Sequence, residues 1–108
     1  MATIKEDYCS QDVYRLLREK GFDGEIHTTF DKEGYTQASI TLQMAMKWLR
    51  LMYHIHIRLV NSTDESYKYE IYPRKGKYVS YCFSDKSYYE TYEKAAEVAI
   101  KYSLENLI

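Results

Sequence analysis

Thr41-Leu-Gln-Met-Ala-Met-Lys-Trp-Leu-Arg-Leu-Met-Tyr53, running directly into His54-Ile-His-Ile-Arg-Leu-Val60, decides the fold, because the spacing of its apolar residues changes within one residue. Up to Tyr53 the polar side chains are Gln43, Lys47 and Arg50, at i, i+4 and i+7, which is a single stripe along an otherwise apolar helix. Leu42, Ala45, Met46, Leu49 and Met52 form the expected core face, and Met44, Trp48 and Leu51 lie on its flank. Beyond Tyr53 the period becomes two. Ile55, Ile57 and Leu59 alternate with His54, His56 and Arg58, so one set faces a core and the other faces away. A helix followed immediately by a half-buried strand means a helix packed against a sheet.

Downstream, Tyr67 to Tyr72 and Lys77 to Phe83 continue the strand pattern, and the short polar connections favour an antiparallel meander. In the second strand Tyr67, Tyr69 and Ile71 oppose Lys68, Glu70 and Tyr72. In the third, Val79, Tyr81 and Phe83 are the more apolar set and are expected inward. Thr91 then caps a helix to Leu107, with Glu93 in its first turn, Glu97 placed to reach Lys101, and a stripe of Ala96, Ala99, Ser103 and Leu107 that permits close approach.

Upstream, Ser10 and Gly21 bracket a helix whose inward residues are Val13, Leu16 and Leu17. Between Asp23 and Ile40 the chain reads either as a hairpin, Glu25 to Phe30 and Tyr35 to Ile40 around Asp31 to Gly34, or as a loop. Residues 1–9 are expected to form a flexible tail. The fold class is therefore α+β, in the order α, hairpin or loop, α, β, β, β, α. It forms one domain over residues 1–108, with a three-stranded antiparallel sheet carrying helices on one face.

Composition narrows function more than it names it. Fifteen Lys plus Arg against sixteen Asp plus Glu leave no global field that would draw in a polyanion, so any such binding needs a local patch. No apolar run reaches the roughly 20 residues of a membrane span, and the N-terminus lacks a secretory pattern, so a cytoplasmic protein without a membrane partner is expected. Cys9 and Cys82 stand alone and are expected to be free thiols. Thirteen tyrosines against three phenylalanines imply many rings at the margin of the core or on an open face, since a tyrosine hydroxyl must stay wet or paired.

Chemistry-bearing motifs are sparse. His54 and His56 form an HxH pair on one strand face, with Cys82 two strands away, but no spacing supplies the remaining ligands of a zinc site. There is no glycine-rich phosphate loop and no nucleophile or zinc-protease motif. The expectation is a non-enzymatic protein with no catalytic, cofactor-binding or metal-binding residues.

Two stretches carry a resemblance. Thr41 to Arg50, reading TLQMAMKWLR, and Thr91 to Ile108, reading TYEKAAEVAIKYSLENLI, are similar to the signature of short uncharacterised proteins of gut Bacteroidetes bacteria and of their phages and mobile elements, over Ser10 to Ile108. That resemblance implies no activity. The order helix, three strands, helix also resembles the double-stranded RNA-binding domain, and three strands before TYEKAAEVA resemble AP2-type DNA-binding domains. Against the first, Tyr89-Glu-Thr-Tyr-Glu-Lys94 puts carboxylates where that module carries cations. Val13 to Phe22 is similar to the first helix of small helix-turn-helix proteins, without a second helix at short spacing.

Two readings follow. In the preferred one the protein is an interaction module that self-associates or docks on a protein partner through Met44, Trp48 and Leu51 or through the tyrosine-rich sheet. In the alternative it binds nucleic acid through a sheet face bearing His54, His56, Arg58, Lys68 and Tyr72, with Arg74, Lys75 and Lys77 in the adjacent turn.

Overall fold

The computed structural model describes residues 7–61, 66–75, 78–79, 82–84 and 87–108. Three helices and two antiparallel sheets make a mixed α+β fold: α1 (Gln11–Glu19), β1 (His27–Phe30), β2 (Thr36–Ser39), α2 (Leu42–Tyr53), β3 (Ile55–Asn61), β4 (Tyr67–Lys75), β5 (Tyr78–Val79) and α3 (Tyr92–Asn106).

Each helix begins where a hydroxyl can serve its free N–H groups. Ser10, Thr41 and Thr91 accept from the backbone N–H of Val13, Met44 and Lys94. α1 ends in a Schellman turn: the Phe22 N–H donates to the Leu17 carbonyl and the Gly21 N–H to that of Arg18. Gly21 sits at φ +93°, where a side chain would be strained, and this turn drops Phe22 into the core beside Leu17. The uncertain segment is a hairpin, closed by Asp31, whose Oδ1 accepts from the N–H groups of Glu33 and Tyr35, with Gly34 at φ +86°. Its base is tied to the N-terminal segment, where Ser39 Oγ donates to the Cys9 carbonyl and Tyr8 bridges Thr41. Residues 7–9, expected as part of a flexible tail, are thus held by hydrogen bonds, and residues 1–6 lie outside the described residues.

β3 and β4 pair over seven positions, Ile55 opposite Pro73 through Asn61 opposite Tyr67. Ile55, Ile57, Leu59, Tyr69 and Ile71 therefore share one face, and α2 and α3 pack against it. Of the third strand expected over Lys77 to Phe83, the described residues pair with β4 at β5, opposite Lys75 and Arg74, and then at the bridges Ile71 to Phe83 and, further on, Tyr67 to Tyr89. From Arg74 back to Ile71 β4 advances three residues while its partner advances four, and from Ile71 to Tyr67 four against six. Phe83 meets the core opposite Ile71 and Cys82 is exposed, as the inward set implied, whereas Tyr81 and Lys77 lie outside the described residues.

α1 lies against α3. Glu97, expected to pair with Lys101, instead accepts from the Ser10 N–H at the start of α1, where the helix dipole favours a carboxylate. The small-residue stripe does permit close packing, with Ala96, Ala99 and Ser103 fully buried.

Candidate functional site

Of the flank expected to dock a partner, only Leu51 is open to solvent, at 62 % exposure. Trp48 is buried at 7 %, with its indole edge-on to Phe22 at 5.5 Å and to Tyr53 at 5.2 Å between ring centres, and Met44 is half-buried against the core. The physical reason is the Schellman turn, which delivers Phe22 onto α2 and covers the flank from within the chain. That cover leaves Trp48 Nε1 buried without a hydrogen-bond partner among the described residues. Met52, assigned to the core face, is 61 % exposed and adjoins Leu51 on the last turn of α2.

The other candidate surface is the side of the β3–β4 sheet away from the helices. Register places His56 opposite Tyr72, Arg58 opposite Glu70 and Val60 opposite Lys68 on that side, followed by Arg74. His54 does not belong to the row. It is the left-handed residue, φ 56° and ψ 34°, that ends α2 and turns the chain into β3 without a loop, so the expected HxH pair does not lie side by side on a strand. No group of three His, Cys, Asp or Glu suited to a metal occurs among the described residues.

Arg50, read from the sequence only as part of the α2 stripe, lies within electrostatic reach of His56 from the last turn of α2. Its charge, with those of Arg74 and His54, adds to loss of solvent in holding His56 below the ordinary imidazole pKa. The signal for Arg50 was its position one helical turn before the His54 reversal. Among the described residues of the face itself, Arg58, Lys68 and Arg74 stand against one carboxylate, Glu70. Glu70 is engaged: Arg58 Nη1 lies 3.8 Å from its Oε1, and the Tyr72 hydroxyl donates to it at 3.0 Å. Interaction with Glu70 and Cys82 pushes the Tyr72 pKa up. Nothing is assigned to the side chain of Lys75, and Lys77 lies outside the described residues.

Acid collects elsewhere. Asp7 and Glu93 meet near the start of α3, and the Asp7 carboxyl is pushed up by loss of solvent and by Glu93. Glu90 and Glu93 line a shallow depression there with Tyr92. Carboxylates occupying this end fit poorly with phosphate binding in the manner of a double-stranded RNA-binding domain. A cleft of about 460 Å³ between β4 and α3, walled by Tyr69, Phe83, Val98 and Tyr102, is mostly apolar and gathers no cluster of reactive groups. Cys9 is buried, its thiol pushed up to about 12 chiefly by burial. Comparison with protein-family models, with curated proteins and with solved structures finds no match to this chain.

Proposed function

We propose that the protein is a non-enzymatic binding module whose working surface is the uncovered face of the β3–β4 sheet, and that its partner is nucleic acid. The supporting observation is the separation of charge. A chain of net charge −1 places Arg58, Lys68 and Arg74 about one carboxylate, among the described residues, on the sheet face turned away from α2 and α3, and keeps a carboxylate cluster at the start of α3. A local patch of this kind is what a near-neutral protein needs to hold phosphates. Burial of Trp48 removes the chief support for docking through the α2 flank. The resemblance of Thr41–Arg50 and Thr91–Ile108 to proteins of phages and mobile elements is in keeping with an accessory role beside nucleic acid.

A second reading has its own observation. Leu51 and Met52 are adjacent and mostly exposed, and a protein partner or a second copy could cover them. Titration of wild type and an Arg58→Ala, Lys68→Ala, Arg74→Ala variant with nucleic acid across a salt series tests the first reading. Loss of the Lys68 and Arg74 phosphate contacts lowers the salt slope by about 2 for duplex and about 1.4 for single strands, and loss of Arg58 weakens binding further. An unchanged slope, or salt-insensitive binding by wild type, would exclude this face. Light scattering of a Leu51→Asp, Met52→Asp variant tests the second.

A further inference from the structure

The uncovered face is not uniformly cationic, and its order along the strands is informative. Lys68 and Arg74 are six residues apart on β4, about 20 Å at strand rise. Between them lie Glu70 with Arg58 across from it, then Tyr72 with His56 across from it. A surface that only followed phosphates would gain nothing from a carboxylate at its middle, because Glu70 would repel them. Base edges differ. In the major groove of B-DNA guanine offers acceptors that suit an arginine fork, and cytosine offers an amino group that suits a carboxylate. The β3–β4 pair, two strands about 5 Å apart with β5 and the Phe83 and Tyr89 bridges along the other side of β4, presents a row narrow enough for that groove, which is about 12 Å wide, and cations about 20 Å apart can reach the phosphates bounding it.

The alternatives fit less well. The A-form major groove of duplex RNA is too deep and narrow for side chains to read. Single strands are held by successive bases on aromatic platforms, and among the described side chains this row offers Tyr72 and the His56 ring alone. Resting on the nucleic-acid reading above, we infer that the β3–β4 ribbon reads duplex DNA through the major groove. Arg58 and Glu70 meet base edges of a G·C-containing site, and Lys68 and Arg74 hold the phosphates on either side. The Arg58–Glu70 ion pair opens on binding, each partner exchanging the other for a base.

Selection from a randomised duplex DNA pool with the full chain tests this, followed by titration with the selected duplex, a scrambled duplex, and the selected sequence as duplex RNA and as single-stranded DNA. The selected duplex should contain G·C pairs at its centre and bind at least about tenfold more tightly than the scrambled one. Arg58→Lys and Glu70→Gln should bring the two duplexes within about threefold of each other, with melting temperatures kept as a check on folding. Lys68→Ala should weaken both duplexes alike and reduce the salt slope by about one. Equal binding of selected and scrambled duplexes, undiminished discrimination in both central variants, or a preference for RNA or single strands would overturn the inference and leave the nucleic-acid reading standing. Failure to bind any of the four at low salt would overturn both.

Discussion

Replacing Leu49 with Ala and, separately, Leu51 with Ala sets two leucines of one helix, two residues apart, against each other. Leu49 is fully buried among α2, α3 and the sheet, whereas Leu51 keeps 62 % of its surface in water. Truncating Leu to Ala removes three carbons, about 2.4 kcal/mol of transfer free energy at roughly 0.8 kcal/mol each. At position 49 the cavity left in a packed interior adds to that, giving about 3 to 4 kcal/mol in all. At position 51 no enclosed cavity forms, most of the transfer term is absent, and alanine is the better helix former, so the change should stay under about 1 kcal/mol. Total stability for a domain of this size is about 5 to 15 kcal/mol, so the first variant loses a large share of it and the second almost none. Urea unfolding followed by circular dichroism measures both, provided the slope with denaturant is unchanged. A loss below about 0.5 kcal/mol for Leu49→Ala, or equal losses for the two variants, would refute the placement of α2 against the sheet.

Two further outcomes are expected. In the native protein a thiol reagent at pH 8 should modify Cys82 rapidly and Cys9 only on unfolding, because Cys9 is buried with its thiol pushed up to about 12; equal rates by mass spectrometry would contradict that burial. His56 is held below its ordinary pKa of 6.5, so as pH falls through that value the unfolded chain takes up its proton first and stability declines until the folded value is reached. His56→Gln should flatten that part of the pH dependence of the unfolding midpoint between pH 7.5 and 5.5, and an unaltered profile would show that His56 does not contribute.

What the sequence by itself determined is local. Caps at Ser10, Thr41 and Thr91, the stop at Gly21 and the change from helical to strand period near His54 depend on neighbours within a turn or two, and the structure has each where those signals place it. The alternation of Ile55, Ile57 and Leu59 likewise set which sheet face is buried. The candidate face was legible in the same way for Arg58, Lys68 and Tyr72, which could be assigned by period two, whereas Arg74, read in the adjacent turn, joins the face because β4 runs on to Lys75. What only the tertiary structure decided depends on residues far apart in the chain. An apolar side chain such as Trp48 or Met52 carries no mark of which helix flank a neighbour will cover, and the turn that drops Phe22 onto Trp48 chose one and left the other in water. Glu97 turned from Lys101 to Ser10 because the packing of α1 on α3 brought it a helix N-terminus. Where the third strand meets β4, at Val79, Phe83 and Tyr89, appears only in register with β4. Arg50 acts on His56 because one left-handed residue, His54, folds β3 back against the end of α2, and charge proximity follows from that path through space and not from spacing along the chain.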